Sequence, residues 1–213
     1  MPNKCPSIVS LYYRLSALRK ALKDVNPRLS KMGDKCLSST GYSALFLSTF
    51  LSGAPAAHLK SLSAMIADYR MFWRMYYTPA TVEWALDLLI DNPKKNAFLR
   101  WCDYIEAVAG VAYQVLEDLA YLAMKGVLPI SPEMQAHLWV VSCVFWTVHV
   151  VVELTLTAYF AAIGRPYSKR ELFVNLSWAP LTIHWSTYTG LLEPRWVGLF
   201  GACASIPTLI AGW

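Results

Sequence analysis

The sequence predicts an all-α integral membrane protein in which amphipathic helices precede about two transmembrane helices. Hydrophobic residues make up 56% of the 213 residues and charged residues only 15%, whereas about a quarter of the residues in soluble domains are charged. No alternating apolar and polar pattern persists long enough for a strand, and apolar residues recur at helical spacing instead. Nine Trp and twelve Tyr add side chains that favour membrane–water interfaces.

The first predicted helix, residues 10–25, is amphipathic. Ser10 can cap its N-terminus, and Asn26-Pro27 ends it because the residue before a proline disfavours helical geometry. Its apolar face consists of Leu11, Leu15, Leu18, Leu22 and Val25, and its basic face of Arg14, Arg19, Lys20 and Lys23. Two interpretations remain open: a helix docked on the rest of the protein, or one lying on an anionic membrane.

Residues 36–59 carry no charge but are rich in Ser and Thr. This stretch is long enough to cross a bilayer and marginal in hydrophobicity. We therefore expect a helix that is buried in the bundle or lies shallowly in the membrane. Gly53-Ala54-Pro55 is expected to break it.

A second amphipathic helix is predicted over residues 60–77. Its apolar stripe contains Leu62, Met65, Ile66, Tyr69, Trp73 and Tyr76, with Arg70 and Arg74 beside the stripe. Large aromatic rings flanked by arginine suit insertion at a membrane interface, where the rings are buried and the guanidinium groups reach the headgroups. We predict these eight residues to bind membrane; the alternative is the core stripe of an ordinary helical bundle.

Two further helices lie between residues 80 and 125. Residues 80–91 form a short acidic helix whose Glu83, Asp87 and Asp91 are interpreted as a solvated face. Residues 97–125 form a long helix that is too polar for a clean span and ends at Gly126. One side of this helix is apolar: Trp101, Tyr104, Val108, Val111, Val115, Leu119 and Leu122.

The best membrane span is residues 134–163, whose first 19 residues are uncharged. His149 and Glu153 lie four residues apart and therefore share a helical face. An ionisable pair within a span suggests proton or solute handling. The alternative is that Glu153 lies near the interface, or that the two residues pair to reduce the cost of desolvation.

The remaining residues divide into a linker, a mixed segment and a second span. The linker is 164–175, the segment 176–192 is expected to be interfacial or re-entrant, and the second span is 196–213. Gly198 and Gly201, with nearby Ala and Ser, give this span a small-residue face that can pack against another helix. The chain is accordingly divided into an amphipathic region, 1–133, and a membrane-spanning region, 134–213.

No motif for chemistry is present, so we expect no enzyme activity, no cofactor and no metal. The five cysteines are scattered singly, and the four histidines show no metal-ligand spacing. Residues 1–77 carry eleven basic and three acidic residues, a net charge of +8. This charge suits anionic lipid, and since no groove-reading or base-stacking motif accompanies it, we expect no nucleic-acid partner.

Three stretches in order resemble the peroxin-11 family of peroxisomal membrane proteins. Residues 61–77 look like its amphipathic element, and 98–106 with 114–128 look like its central helix, which ends at a Gly-Val-Leu turn. Residues 175–185 with 190–201 are similar to its terminal signature, most like that of the gamma-type branch. The resemblance covers roughly residues 10–213 and departs from the family pattern in its short linker.

The resemblance implies a multi-pass protein of the peroxisomal membrane, or of a specialised peroxisome such as a glycosome, that elongates and proliferates the organelle. In that picture amphipathic helices wedge into the cytosolic leaflet, and self-association into a homo-oligomer concentrates them. The implied partners are the phospholipid membrane, further copies of the chain and, as a candidate, the peroxisome division machinery. An alternative implied function is a pore for small metabolites, with His149 and Glu153 as the residues that motivate it.

Overall fold

The computed structural model describes residues 13–17, 31–92 and 96–211, and every regular element within these ranges is helical. The all-α prediction is thus confirmed. The described part contains seven long helices: α1 (Lys31–Ser48), α2 (Gly53–Arg74), α3 (Thr78–Ile90), α4 (Ala97–Met124), α5 (Pro132–Ala162), α6 (Lys169–Trp185) and α7 (Pro194–Ile210). A 3-10 turn, Met75–Tyr77, joins α2 to α3. Of the predicted helix 10–25, residues 13–17 are helical and the rest lies outside the described residues.

Six of these helices close into a ring. Along the ring α1 packs on α2, α4 on α5, α5 on α6, α6 on α7, and α7 on α1. The ring is completed where α2 meets α4, mainly through long polar side chains. Helix α3 packs on the outside of α4. The interior of the ring is therefore the place where side chains from most of the chain converge.

Local sequence signals set several helix ends. The side chains of Asn96, Ser131 and Ser168 accept hydrogen bonds from backbone N–H groups three residues later, at 3.3, 3.3 and 3.2 Å. Each bond satisfies a donor that has no partner inside the helix. Gly126 follows α4 with a φ of 71°, a left-handed conformation that glycine adopts without steric cost.

The predicted small-residue face of the last helix packs against α1, as expected. Gly198 lies so close to α1 that a Cβ atom there would stand 2.6 Å from the backbone nitrogen of Phe46. A Cβ atom on Gly201 would collide with the ring of Tyr42. Small residues thus allow the two backbones to approach closely, as in membrane helix pairs.

The helix predicted within residues 36–59 is broken, as expected, but the break lies a few residues earlier than Gly53-Ala54-Pro55. Helix α1 ends at Ser48, and α2 begins at Gly53 instead of after Pro55. Proline is tolerated in a first helical turn, because its missing N–H would have no partner there. The predicted amphipathic helix 60–77 is therefore longer at its N-terminus, and its α-helical part ends at Arg74.

The predicted linker 164–175 is mostly helical, and the segment 176–192 is not a separate element. Helix α6 starts at Lys169 and continues through Pro180 to Trp185. The Ser168 cap, with Glu171 in the first turn, starts the helix inside the predicted linker. The non-helical connection between α5 and α6 is accordingly short.

Among the described residues, α5 is the one helix that is long and apolar enough to cross a membrane. It has 31 residues, and only 22% of its most apolar window is buried within the structure. A core helix of a soluble bundle would be mostly buried. Helix α7 has 17 described residues, and the second predicted span, 196–213, stays a prediction.

Candidate membrane face and central cavity

Helix α2 presents a continuous apolar face to the outside of the ring. Met65, Tyr69, Phe72 and Tyr76 are exposed, Met65 at 63%, and their spacing of three or four residues places them along one line. Trp73 joins this line, since its ring stacks on Tyr69 at 6.0 Å and contacts Tyr76 at 5.5 Å. We call these five residues the aromatic stripe.

The predicted membrane-binding set coincides with the aromatic stripe only in part. Ile66 is 6% exposed and faces α1, where its Cγ2 atom leaves no room for a side chain at Gly41. Leu62 is half-buried. Phe72, which was not predicted, lies on the exposed face, and its spacing from Tyr69 and Tyr76 was the signal that could have identified it.

The two predicted headgroup-binding arginines are held inside the bundle. Arg70 donates to both carboxylate oxygens of Asp34 on α1, at 2.8 and 3.3 Å. Arg74 donates to Oε1 of Glu117 on α4 at 2.7 Å. In this conformation both guanidinium groups are engaged by carboxylates of neighbouring helices, and their role toward lipid stays a prediction.

The Arg74–Glu117 pair lies in a low-dielectric setting. Burial raises the pKa of Glu117, whereas attraction by Arg74 and the hydrogen bond donated by the Tyr113 hydroxyl, at 3.0 Å, oppose that rise. Burial also disfavours the charged form of Arg74, but attraction by neighbouring acidic groups, Glu117 among them, outweighs it and raises the pKa of Arg74. The guanidinium therefore stays charged, and its partner carboxylate is the more readily neutralised group.

Helix α4 has its polar side inward and its apolar side outward. Asp103, Glu106, Gln114 and Glu117 are buried. The apolar side that the sequence predicted faces out, with Trp101, Val108, Val115 and Leu119 exposed. Buried charge beneath an apolar exterior is typical of helices in an apolar solvent, where ionisable residues face the bundle interior. This reversal supports contact between α4 and lipid.

A cavity of about 320 Å³ lies inside the ring. Five helices contribute to its walls, and they bring charged groups and large aromatic rings together. Its lining residues are Tyr42, Ala67, Arg70, Met71, Arg74, Glu117, Trp139, Cys143, Trp146 and Trp185. We call this space the central cavity. Sequence reasoning did not identify it, because its walls come from parts of the chain that are far apart.

The predicted polar pair of α5 has a further acidic neighbour on α4. Nδ1 of His149 lies 3.6 Å from Oε1 of Glu106 on α4, and Glu153 is half-buried. Neither His149 nor Glu153 lines the central cavity. Glu106 was not among the predicted site residues. It precedes Glu117 by eleven residues, about three helical turns, and therefore lies on the same face of α4 as Glu117.

The described residues hold no cluster of three or more His, Cys, Asp or Glu side chains able to bind a metal ion. The structure offers an exposed apolar helix face and a partly open polar–aromatic cavity. The first suits a membrane surface, and the second suits a small ligand.

Comparison with protein-family models identifies one family. The family model described as peroxisomal biogenesis factor 11 (PEX11) matches residues 30–173. Over 161 residues the chain is 31% identical to Uncharacterized protein C1F12.04c of Schizosaccharomyces pombe, which covers 73% of this chain and 77% of that protein. No solved structure matches the chain. The residues matched by the family model include α1 to α5, and hence both the aromatic stripe and the Arg74–Glu117 pair.

Proposed function

Because the chain belongs to the PEX11 family of peroxisome biogenesis factors, we propose that it promotes curvature, elongation and proliferation of the peroxisomal membrane. The family is one of biogenesis factors and is not known for enzymes. The proposal has two parts: the chain resides in the peroxisomal membrane as a multi-pass protein, and the aromatic stripe of α2 acts as a wedge in the outer leaflet.

The aromatic stripe is the observation that supports the wedge. Burying an exposed large apolar side chain contributes about 1.5–3 kcal/mol. Four such side chains stand in one line along α2 and the 3-10 turn that follows it. A helix that inserts this line to the depth of the headgroups adds area to one leaflet only, and the bilayer responds by bending.

Residence in the membrane is supported by α5, with α7 as the second proposed span. Helix α5 combines sufficient length with low burial. The outward apolar side of α4 adds to the surface that we assign to lipid. With α5 anchored, α2 is held beside the bilayer, so insertion of the aromatic stripe does not have to supply the whole binding energy.

Self-association is the remaining part of the proposal. A single wedge expands the leaflet only locally, and curvature at the scale of an organelle needs many copies at one place. We propose that the chain forms a homo-oligomer and that the division machinery acts on the elongated membrane that it produces.

The double variant Met65→Glu/Phe72→Glu tests the wedge. Both side chains are exposed, so the charges disturb the outer face and not the core. Ile66→Glu is unsuitable because Ile66 is buried against α1. In cells that lack the native protein, we expect the variant to remain in the peroxisomal membrane without elongating it.

The control is Val127→Glu, which places one glutamate at an apolar residue as exposed as Met65, in the turn after α4. It should elongate peroxisomes as the unmodified protein does. Normal elongation by the Met65→Glu/Phe72→Glu variant, at equal abundance, would rule out the wedge.

A further inference from the structure

Two ion pairs, which are together neutral, lie at the central cavity. Arg70, Arg74 and Glu117 line it, and Asp34, which lies outside the lining, holds Arg70 in an ion pair as Glu117 holds Arg74. A purely anionic or purely cationic ligand would therefore bring an uncompensated charge into this low-dielectric space. A ligand that carries one positive and one negative charge would bring no uncompensated charge into the cavity.

The Arg74–Glu117 pair has hydrogen-bonding capacity that the described residues do not satisfy. Nε of Arg74 and Oε2 of Glu117 are buried, and neither atom has a hydrogen-bond partner within the described part of the chain. Leaving a buried charged donor or acceptor without a partner is costly. Both atoms belong to residues that line the central cavity, but neither atom is itself exposed to it, so a ligand would reach them only after a small rearrangement of the two side chains.

Another part of the cavity wall is aromatic. Trp146 stacks on Trp185 with ring centroids 5.6 Å apart, and Trp139 lines the same space. Indole faces attract cations, including ammonium groups that have no proton to donate. A positive group in this cavity would therefore find both a carboxylate and aromatic faces.

We propose that the central cavity binds a zwitterionic group, with its oxyanion against Arg74 and its ammonium group between Glu117 and the indole rings of Trp146 and Trp185. The volume of about 320 Å³ is that of about ten water molecules, which is room for such a group. Because the two unsatisfied atoms belong to residues in one ion pair, the two charges of the ligand must be close together. The headgroup of a zwitterionic phospholipid has this chemistry, and so does a small free zwitterion.

The test uses the full-length protein purified in a nonionic detergent. Three probes are titrated and followed by calorimetry: dihexanoyl phosphatidylcholine below its micelle concentration, free phosphocholine, and dihexanoyl phosphatidylglycerol, which is anionic only. We expect saturable binding of the phosphatidylcholine probe and at least tenfold weaker binding of the phosphatidylglycerol probe. Free phosphocholine binding as tightly as the lipid identifies a soluble zwitterion as the ligand, whereas much weaker binding identifies a phospholipid.

The site is assigned with Arg74→Met/Glu117→Met, which removes both charges at similar side-chain volume and leaves no buried charge unpaired. The matched control is Asp68→Asn/Lys125→Met, which removes an exposed ion pair between the same two helices. Binding of phosphatidylcholine should weaken at least tenfold in the first variant and stay unchanged in the second. Trp185→Leu, which keeps the ion pair, should weaken it about fivefold.

Three results would overturn the proposal: equal binding of the anionic probe, unchanged binding by both cavity variants, or no saturable binding of any probe. The last result would mean that the cavity holds water only. None of these results depends on membrane elongation, so the binding test and the wedge test can fail independently.

Discussion

Arg74 on α2 and Glu117 on α4 are joined by a 2.7 Å ion pair between residues 43 positions apart in the sequence. This contact closes the ring of helices at the place where α2 and α4 have little other contact. It also forms part of the wall of the central cavity. Fold and candidate site therefore depend on the same two side chains.

Removing one member of this pair should cost much more stability than removing both. Glu117→Ala leaves the Arg74 guanidinium inside the bundle without its carboxylate, and we expect a loss of about 3 kcal/mol in the free energy of unfolding. Arg74→Met/Glu117→Met should lose clearly less, because no charge is left unpaired. Denaturant unfolding in detergent measures both losses. Equal losses in the two variants would show that the pair is not buried in solution.

The second ion pair between these helices should contribute little. Lys125 and Asp68 are 2.5 Å apart, but both side chains are more than two-fifths exposed. Exposed pairs contribute about 0–1 kcal/mol and are screened by salt. We expect Asp68→Asn to lower the free energy of unfolding by less than about 1 kcal/mol. If Asp68→Asn lowered the free energy of unfolding as much as Glu117→Ala does, the exposed and the buried ion pair would not differ in their contribution to stability as expected.

Glycine substitutions in two helices should have opposite effects. Gly198→Ala brings a Cβ atom against the backbone of Phe46, which cannot move aside, and should destabilise the protein by about 1–3 kcal/mol. Gly33→Ala lies in α1 with no atom within 4 Å of the new Cβ, and should stabilise the helix by about 0.5–1 kcal/mol. Thermal unfolding of the two variants is the measurement. If Gly33→Ala also destabilised the protein, the loss caused by Gly198→Ala could not be assigned to the close approach of α1 and α7.

The hydrogen bonds that hold the loop after α6 against His184 should be lost in mild acid. Nδ1 of His184 accepts hydrogen bonds from the backbone N–H groups of Leu191 and Leu192, at 2.7 and 2.8 Å. Protonation would put an N–H group on Nδ1, where it would face these two backbone donors and could not accept their hydrogen bonds. Burial lowers the pKa of His184 and so favours the neutral ring that accepts them. The stabilising contribution is therefore complete above the ordinary value of 6.5 and is lost as the pH falls below it.

Hydrogen exchange of the Leu191 and Leu192 amides between pH 8 and pH 5 would detect this loss, after correction for the intrinsic pH dependence of exchange. His184→Asn keeps a side-chain acceptor that does not titrate at these pH values, and it should abolish the dependence. The same pH dependence in His184→Asn would assign the effect to another group.

The sequence predicted the existence and type of most elements, and failed where partners are distant in the chain. The small-residue face of α7 was predictable because its residues recur at helical spacing. The inward direction of Arg70 was not, because its partner Asp34 lies 36 positions away and belongs to another helix. Periodicity identifies a helix face but does not say whether that face meets lipid, water or a neighbouring helix.

Helix α4 illustrates the same limit. The sequence predicts its apolar stripe correctly, whereas its acidic residues indicate a helix that is too polar for a membrane. In the structure those acids lie inside the ring, where Glu106 is near His149 and Glu117 pairs with Arg74. The outer surface of α4 is consequently apolar. Counting charges along a helix does not show which way they point.

The central claim, that the chain elongates peroxisomes from within their membrane, is tested most directly by imaging. The tagged protein is expressed at low and raised levels beside a peroxisomal membrane marker, and the length and number of the organelles are measured. We predict coincidence with the marker and longer or more numerous peroxisomes as the expression level rises. Residence in another membrane, or coincidence without any change in length or number, would contradict the account.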